Sequence, residues 1–373
     1  MKTVVLTIAC LSLILAAVAC APAPTPVTPT PTPVATAAPT AVSAATTAPT
    51  AAPTKAAATT APTTSGSGTL TKLRVPYTAI SVAMSPTWVA LEQGLFKKYG
   101  LDVTMDYIAT SPVLTAAMLS GEVQIAEAAE DVVITSALGG SDLVILASGG
   151  ERLLFSLYSK PSINTLQDLK GKVIAVTRRG SSTDFAAHWL LTKNNLVPDK
   201  DVGFVNTGGV PDILTALQTG QVDAGVLSPP TTIKARQAGF KELVDISAQE
   251  LTFYQAPVIA RKSWVKDNPD TVRKFMSAYV EAVSVIKKDK AKAKAAIGKY
   301  TQTTDDAVLE ETYNAFVKIL PQAPYPKLEA IKVGLDQAAL ENAKAKDADP
   351  NLFFDPRWVE ELDKNGFIAG LYK

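Results

Sequence analysis

The stretch over residues 172–191, KVIAVTRRGSSTDFAAHWLL, decides the fold that we expect for this chain. Residues 173–176 are an apolar, mostly β-branched run and predict a buried strand. A polar turn follows over residues 178–184, and residues 185–191 carry apolar side chains at helical spacing. The sequence therefore predicts a strand, a turn of small residues and the start of a helix.

This turn is the strongest candidate binding element in the chain. Ser181, Ser182 and Thr183 can each cap the first helical turn. Unpaired backbone N–H groups and the positive end of the helix dipole there attract an anionic or electron-rich group. In open α/β sheets, ligands lie beyond the carboxyl ends of the strands. The alternative is that the serines only cap a helix, but the rest of the chain predicts a second domain opposite the turn and favours binding.

Composition and charge exclude several classes of function. Of the 36 lysines and arginines, only Lys2 and Lys55 precede residue 69, which leaves 34 basic against 35 acidic residues in the remaining chain. This near-neutral balance gives no reason to expect nucleic acid or an acidic membrane surface as a partner. Both cysteines, Cys10 and Cys20, also precede residue 69, so no disulfide, thiol nucleophile or cysteine metal site is expected beyond it. The single histidine, His188, is expected to be a packing residue with satisfied ring nitrogens.

The first 68 residues are predicted to comprise a signal peptide and a tether. Residues 4–18 form an apolar run of signal-peptide length, for which a short membrane anchor is the alternative. Residues 17–20, AVAC, resemble a bacterial lipobox, which predicts a signal peptide over residues 1–19 and a diacylated Cys20 as the stable anchor. Residues 20–68 are rich in Ala, Pro and Thr and hold ten of the 25 prolines, which predicts an extended, semi-rigid tether.

Predicted strands and helices alternate after the tether. Strands are predicted over residues 73–77, 101–108, 123–126 and 143–146. Helices are predicted to begin near Pro86, Ser111 and Glu130, and Gly121 is expected to end the second of them as a left-handed C-cap. Strands that alternate with helices predict a mostly parallel sheet covered on both faces.

The second half of the chain repeats this order. Residues 117–126, AMLSGEVQIA, parallel residues 216–225, ALQTGQVDAG, at an offset of 99 positions. Two generic strand–helix–strand units would give some likeness, but the near-constant offset favours two similar lobes. Residues 153–158 and 253–260 are the predicted crossings between the lobes. We therefore expect lobe 1 to comprise residues 69–158 and 254–373, and lobe 2 residues 159–253.

Five further motifs accompany the lipobox and the tether. They are residues 91–103 (LEQGLFKKYGLDV), 119–125 (LSGEVQI), 166–174 (LQDLKGKVI), 180–182 (GSS) and 220–224 (GQVDA). Over residues 70–290 this set resembles the periplasmic-binding-protein family that serves ABC importers of sulfonates, nitrate and thiamine-pyrimidine precursors. The resemblance implies an α/β protein with the type II periplasmic-binding-protein fold, in which two α/β lobes are joined by a two-strand hinge. It also implies a ligand buried between the lobes and closure that presents the protein to a membrane permease.

The resemblance places the ligand contacts in loops beyond the carboxyl ends of strands. The expected ligand-binding residues are Ser81, Ser85, Trp88, Ser111, Glu130, Arg152, Tyr158, Gly180, Ser181, Ser182, Thr183, Asp184, Gly209, Ser228 and Tyr254, with Asp131 and Gly208 beside them. For each of these residues, a cap, a turn or a core position is the alternative.

The expected ligand is a vitamin-like aromatic heterocycle, such as riboflavin or a thiamine-precursor pyrimidine, because aromatic residues are plentiful near the predicted cleft and would stack on it. The alternative ligand is an organic anion, either alkanesulfonate, taurine, nitrate or an aromatic carboxylate. Such an anion would bind an arginine, for which Arg152, Arg178 and Arg179 are the candidates. Adjacent arginines in a turn more often face solvent, and this weighs against the anion.

We expect capture without chemistry, and neither a cofactor nor a metal. The predicted protein is a monomer, lipid-anchored at Cys20 on the extracytoplasmic face of the cell membrane, that delivers a small-molecule ligand to an ABC permease. An enzyme on the same fold would need carboxylates such as Glu130 with Asp184. The family includes a fungal enzyme that makes the thiamine pyrimidine from its own histidine, but its cysteine-rich motif has no counterpart here after residue 68. A tethered sensory module is a third alternative.

Overall fold

The computed structural model describes residues 69–109, 111–249, 251–340 and 342–373, so the predicted signal peptide, tether and Cys20 lie outside the described residues. Its strands are β1 (Thr71–Arg74), β2 (Leu101–Thr104), β3 (Ile125–Glu127), β4 (Leu143–Ala147), β5 (Ser156–Ser159), β6 (Val173–Val176), β7 (Gly203–Asn206), β8 (Ala224–Leu227), β9 (Lys241–Asp245) and β10 (Val258–Arg261). Its α-helices are α1 (Ser85–Glu92), α2 (Leu95–Lys98), α3 (Ser111–Leu119), α4 (Glu130–Leu138), α5 (Ser182–Lys193), α6 (Val210–Gln218), α7 (Thr231–Gln237), α8 (Lys262–Asp267), α9 (Pro269–Lys288), α10 (Lys290–Thr301), α11 (Asp306–Ile319), α12 (Leu328–Ala338), α13 (Arg357–Lys364) and α14 (Phe367–Leu371). Short 3₁₀-helices lie at Val82–Met84, Leu166–Leu169, Ala343–Asp347 and Pro350–Leu352. Across these described ranges, no helix combines the length and the apolar character that crossing a bilayer requires.

The strands form two groups, lobe 1 and lobe 2. In lobe 1, β1 pairs with β2 in parallel, and β10 lies between β3 and β4, antiparallel to both. Tyr77 forms parallel bridges to Tyr107 and Glu127, which link these two small sheets. In lobe 2, five strands lie in the order β7-β6-β8-β5-β9, with β5 antiparallel to both of its neighbours. The carboxyl ends of the parallel strands therefore lie at one edge of each lobe.

The β3-β10-β4 sheet of lobe 1 and the five-stranded sheet of lobe 2 each bury apolar side chains on both faces. Along β4, Val144 and Leu146 join one hydrophobic cluster, whereas Leu143 and Ile145 join another. Along β6, Ala175 likewise belongs to a different cluster from the residues on either side of it. Successive side chains of a strand point to opposite faces, so helices must cover both faces of each sheet. The prediction of sheets covered on two faces is confirmed.

The repeat with an offset of 99 positions is present as equivalent backbone geometry. Gly121 donates its N–H to Met118 O, and Gly220 donates its N–H to Leu217 O, both at 3.1 Å. Their φ angles are +81° and +76°, in the left-handed region where glycine lacks the steric cost of a Cβ atom. The helix end, the left-handed C-cap and the following strand therefore recur in both lobes, as the sequence predicts.

The chain crosses between the lobes twice, and the crossings meet at an antiparallel bridge between Arg152 and Thr252. A Cβ atom on Gly149 would lie 2.3 Å from the backbone oxygen of Ala256, so the two crossings pack backbone against backbone. Residues 156–158 were predicted to be in lobe 1. They lie in β5, which pairs with β8 and β9, so the sheet of lobe 2 begins earlier than predicted.

The helices after β10 complete lobe 1 and also touch lobe 2. Helix α9 packs on α1 and α2, with Phe275 and Tyr279 in the core. Helix α11 packs against α7 of lobe 2, where Arg236 forms an ion pair with Glu311 at 2.5 Å. Helix α12 packs against α4, while its Val333 contacts the core of lobe 2. The carboxyl-terminal helices thus bring two more contacts across the lobes.

Candidate functional site

A pocket between the lobes, which we call the cleft pocket, lies beyond the carboxyl ends of β1, β6, β7 and β8. It contains roughly 500 Å³ of space outside the protein atoms, counted to its open mouth. Its lining residues are Thr78, Ala79, Ile80, Ser81, Met84, Tyr107, Ala129, Phe155, Thr177, Arg178, Ser181, Ser182, Thr183, Gly208, Gly209, Val210, Ser228 and Gln255. Seven of these residues are serine or threonine, and Arg178 is the one charged residue among them.

Three hydroxyl groups hold the predicted serine-threonine turn together. Thr177 Oγ1 donates to Ser181 Oγ at 2.9 Å, and Thr183 Oγ1 lies 2.9 Å from both of them. The backbone N–H of Thr177 donates to Thr183 Oγ1 at 2.9 Å. Ser181 Oγ donates to Arg178 O at 2.8 Å and, as an N-cap, accepts the N–H of Asp184 at 3.4 Å. Capping by Ser181 is confirmed, and all three hydroxyls have protein partners.

Ser182, the first residue of α5, has different surroundings. It is half-buried and lines the cleft pocket, and none of the hydrogen bonds found among the described residues involves its hydroxyl. The first N–H groups of a helix have no partner within the helix, and the positive end of the dipole lies with them. Ser182 therefore combines an unused hydroxyl with the part of α5 that best attracts a negative group.

Arg178 crosses the cleft from lobe 2 to lobe 1. Its Nη1 donates to Ala109 O at 2.9 Å, and its Nη2 donates to Ser111 Oγ. Arg179 points the other way, with Nη1 donating to Asp199 Oδ2 at 2.7 Å and a side chain that is 45% exposed. The expectation that both arginines face solvent therefore holds for Arg179 and is wrong for Arg178, because these adjacent side chains leave the turn on opposite sides.

Ser228, which follows β8, lines the opposite part of the cleft pocket. It is 1% exposed, and its hydroxyl has no hydrogen-bond partner within the described part of the chain. Leaving a buried polar group unpaired costs about 1–3 kcal/mol. A bound oxygen atom that accepted this proton would offset that cost. Nearby, Ser81 Oγ accepts from Gln255 Nε2 at 3.4 Å, and Gly209 caps α6 without a side chain.

The structure brings seven of the residues expected at the ligand into the cleft pocket: Ser81, Ser181, Ser182, Thr183, Gly208, Gly209 and Ser228. Trp88 does not reach it, contrary to prediction. Its side chain is buried in the core of lobe 1, and its ring stacks on Tyr300 with centroids 4.9 Å apart and planes 6° apart. The reason is that α1 packs against α9 and α10, so residues along most of the helix are buried.

Three more of the residues predicted to bind the ligand are instead buried in the protein core. Tyr158 is buried in a lobe 2 cluster and does not line the cleft pocket. Tyr254 donates its backbone N–H to Glu130 Oε2 at 2.9 Å, and its hydroxyl accepts the N–H of Lys327 at 2.6 Å. Glu130 and Tyr254 thus tie α4 and the loop before α12 to the second crossing. Burial raises the pKa of Glu130 well above its ordinary value.

The other predicted residues lie around the cleft pocket without lining it. Ser85 is fully buried at the start of α1, and Arg152 is exposed beside the first crossing. Ser111 is connected to the cleft pocket only through its hydrogen bond with Arg178, which does line the pocket. His188 is a packing residue, as expected: its ring stacks on Phe204, and both ring nitrogens lie near polar partners.

A second pocket, which we call the α12 pocket, shares no lining residue with the cleft pocket. It contains roughly 680 Å³ of space outside the protein atoms when the solvent at its open mouth is counted. Its lining residues are Asp131, Ile134, Thr135 and Leu138 of α4, Gly180 with Asp184 and Phe185 of α5, Phe253, Gly334, Gln337 and Ala338 of α12, and Asn342. Two residues predicted to bind the ligand, Gly180 and Asp184, therefore lie in this pocket instead.

Several residues of the cleft pocket were not identified from the sequence as candidates. Tyr107 is the next-to-last residue of the strand predicted over residues 101–108, and Thr177 directly follows the predicted strand 173–176. Gln255 is the one polar amide within the apolar crossing FYQAPVIA. A polar residue in an otherwise apolar crossing was a signal that could have pointed to Gln255. Thr78 and Ile80 gave no comparable signal.

Comparison with known proteins identifies the family. The model of the family described as NMT1/THI5 like matches residues 82–293, more than half of the chain. YtlA of Bacillus subtilis, which carries only a general designation as a binding protein, is 26% identical over 266 residues, which cover 70% of this chain and 80% of YtlA. The matches to the binding proteins of Brucella species, at 29% identity, span 56% of this chain and 65% of theirs.

Two solved structures show the same fold. The alkanesulfonate-binding protein SsuA from Xanthomonas axonopodis pv. citri, bound to MOPS, superposes with a TM-score of 0.63 and 19% identity over 76% of this chain and 96% of SsuA. The periplasmic nitrate-binding protein NrtA from Synechocystis PCC 6803 superposes with a TM-score of 0.69 and 12% identity over 79% of this chain and 89% of NrtA. The predicted fold of two α/β lobes with the architecture of periplasmic binding proteins is confirmed, and the chain belongs to the NMT1/THI5-like family.

Proposed function

We propose that this protein is the substrate-binding component of an ABC importer and that its ligand is a small organic anion held in the cleft pocket. One observation carries the choice of ligand: the pocket is lined by Arg178 and seven serine or threonine residues, and no carboxylate lines it. A guanidinium, hydroxyl donors and a helix N-terminus together are the groups that bind sulfonate or carboxylate oxygens. The sulfonate- and nitrate-binding proteins with the same fold support this ligand class.

The rest of the pocket fits the organic part of such an anion. Ile80, Met84 and Val210 give it an apolar wall beside the polar groups. The heterocycle that the sequence analysis favoured depended on stacking, but Trp88 and Tyr254 belong to the core, and the aromatic residues that line the cleft pocket are Tyr107 and Phe155. The surroundings of Arg178 therefore favour the alternative that the sequence analysis left open, an alkanesulfonate-type or carboxylate anion.

Binding would act by closing the lobes on the ligand. The cleft pocket takes its walls from both lobes, so a ligand there gains contacts in the closed state that the open state lacks. The enzyme alternative needed Glu130 with Asp184, but neither carboxylate lines the cleft pocket. Glu130 accepts the N–H of Tyr254, and Asp184 accepts that of Gly180. We therefore propose capture and delivery to the permease without chemistry.

We also propose that the protein works as a monomer on the extracytoplasmic face, anchored through a diacylated Cys20 and a tether over residues 20–68. The lipobox and the composition of the tether support this proposal. Replacing Cys20 by alanine should move the protein from the detergent phase to the aqueous phase in a phase-partition experiment. Retention of the variant in the detergent phase would contradict the anchor.

The ligand class can be tested by isothermal titration calorimetry with butanesulfonate, taurine, nitrate, benzoate, riboflavin and an aminopyrimidine. We expect saturable binding of an organic anion, weakened at least about tenfold in Arg178→Gln, because hydrogen bonds to a charged group contribute about 1.5–3 kcal/mol. Arg179→Gln is the matched control, since it removes the same charge from the same turn but outside the pocket. Binding of riboflavin or the pyrimidine that survives Arg178→Gln would overturn the anion proposal and restore the heterocycle.

A further inference from the structure

The α12 pocket differs in chemistry from the cleft pocket. Its walls are mainly apolar, with Ile134 and Leu138 on one side and two aromatic rings on another. The rings of Phe185 and Phe253 stack with centroids 4.4 Å apart and an angle of 18° between their planes. Its cavity volume of about 130 Å³ lies below the range of about 300–1,000 Å³ that is usual for drug-sized ligands, so only a small ligand would fit. An apolar or aromatic body of modest size would therefore fit against these walls.

The charged residues that line the α12 pocket are both acidic. Asp131 comes from α4 of lobe 1 and Asp184 from α5 of lobe 2, while no lysine, arginine or histidine lines the pocket. The cleft pocket has the opposite composition, with one arginine and no carboxylate. The two pockets therefore favour ligand groups of opposite charge.

The two carboxylate oxygens of Asp184 differ in their hydrogen bonding. Its Oδ2 accepts the N–H of Gly180 at 2.9 Å. Its Oδ1 is buried and accepts no hydrogen bond among the described residues, although it lies 3.2 Å from His188 Nδ1. The ring nitrogen Nδ1 instead makes its hydrogen bond with the backbone oxygen of Asp184 at 2.8 Å. The side chain as a whole is 7% exposed, so it is largely shielded from bulk solvent.

Asp131 repeats this situation on the facing wall. Its Oδ1 is buried and has no hydrogen-bond partner within the described ranges. Burial raises the pKa of Asp131 to about 6, and the charge of Arg178 opposes this shift. At neutral pH the carboxylate is therefore ionised, in a place where a donor would stabilise it.

We propose that the α12 pocket is a second binding site, for a small organic cation that combines a protonated amine with an apolar body. The ammonium group supplies the donors that Asp131 Oδ1 and Asp184 Oδ1 lack, and the apolar body contacts Phe185 and Phe253. Aromatic faces attract cations as well as apolar groups. The proposal goes beyond the function assigned to the cleft pocket and does not depend on it.

The test uses benzylammonium as the probe, titrated into the full chain in detergent by isothermal titration calorimetry. Benzyl alcohol and benzoate are the matched neutral and anionic probes, because they keep the ring and change the charge. We expect saturable binding of benzylammonium, and binding at least about tenfold weaker for benzyl alcohol, since ionic hydrogen bonds contribute about 1.5–3 kcal/mol. Equal affinity for benzylammonium and benzyl alcohol, or no saturable binding of benzylammonium, would overturn the proposal.

Two variants locate the site by different means. Asp131→Asn keeps the shape of the side chain and removes its charge, and should weaken benzylammonium about tenfold. Ala338→Leu leaves the charges in place and fills part of the pocket, and should weaken it similarly. Asp212→Asn is the control, because Asp212 also lies in the first turn of a helix but lines neither pocket. Thermal unfolding without ligand shows that each variant is folded. Unchanged affinity in the folded Asp131→Asn and Ala338→Leu variants would place any amine binding elsewhere and refute the site.

Discussion

Ser182 and Thr183 are neighbours in one turn with different partners. Thr183 Oγ1 accepts the N–H of Thr177 and belongs to the group of three hydroxyls, whereas the hydroxyl of Ser182 is unused and lies at the cleft pocket. The sequence marks both residues as ligand contacts and cannot separate them, because their difference arises from where the turn meets the end of β6. A pair of single substitutions can separate binding from stability.

Ser182→Ala should weaken anion binding about three- to tenfold without lowering the melting temperature, since one hydrogen bond contributes about 0.5–1.5 kcal/mol. Thr183→Ala should lower the free energy of unfolding by about 1–3 kcal/mol, because it leaves the N–H of Thr177 without an acceptor. Calorimetric titration and chemical denaturation measure the two effects, and Thr183→Ser, which keeps the hydroxyl, is the control. Equal losses of stability in both alanine variants would contradict this division of roles.

The raised pKa of Asp131 predicts that the stability of the protein depends on pH. Burial raises its pKa from 3.8 to about 6, so the folded protein keeps a proton that the unfolded chain has already released. The stabilisation is fully present below about pH 3.8 and is lost as the pH rises through about 6. Asp131→Asn should therefore raise the melting temperature at pH 7 relative to the wild type and leave it unchanged near pH 4.

Neighbouring groups set the control for this prediction. Burial and the charge of Asp184 oppose ionisation of Asp131, and Arg178 favours it. The pKa of Glu127 is also raised by burial, and its effect is the same in both proteins. Burial and the charge of Asp131 both raise the pKa of Glu130, so Asp131→Asn also removes the repulsion between these two carboxylates. A difference in melting temperature that is the same at pH 4 and pH 7 would contradict the assigned pKa.

The segment from β6 to α5 shows which elements a sequence can predict. The strand, the capping serine and the helix start all follow from residues within one short stretch, and the structure has them where they were predicted. Trp88 shows the opposite case. Its burial depends on α10, which brings Tyr300 from more than 200 residues later in the chain. Arg178 is similar, since Ala109 and Ser111 lie almost 70 residues before it. Local patterns thus predicted the elements and one wall of the pocket, and long-range packing decided which side chains line it.

The matching C-caps of α3 and α6 allow a paired test. Nothing lies within 4 Å of a Cβ atom built on Gly121 or Gly220, so alanine would be strained only by the positive φ angle. Gly121→Ala and Gly220→Ala should each lower the free energy of unfolding by about 1–2 kcal/mol. Gly370→Ala is the control, because a Cβ atom there also meets no neighbour and the φ angle is not positive. Denaturant unfolding that shows no loss in either C-cap variant would contradict the equivalence of the two turns.

Contacts across the cleft join the two lobes. Arg178 donates from lobe 2 to Ala109 and Ser111 of lobe 1, and Arg236 on α7 pairs with Glu311 on α11. A ligand-free protein can populate the closed state to the extent that such contacts stabilise it. Arg178 therefore combines its proposed role as a ligand contact with hydrogen bonds between the lobes.

Ser111→Ala separates these roles, because it removes one interlobe hydrogen bond and leaves the guanidinium in the pocket. We expect more of the open state, seen as longer distances between spin labels on the two lobes. The apparent affinity for the anion should fall in proportion to the population of the closed state. Ser136→Ala is the control, since that hydroxyl bonds only within α4. Distances identical to those of the wild type would show that Arg178 does not hold the lobes together.

The position of β10 has a consequence for synthesis on the ribosome. The five-stranded sheet of lobe 2 has all its strands once Asp245 has emerged, whereas the sheet of lobe 1 lacks its central strand until Arg261 has emerged. Domains fold as units while the chain is being made. Lobe 2 should therefore fold first. Strands β3 and β4 are made earlier but remain unpaired at their edges until β10 emerges, so nascent-chain chaperones would have to shield them.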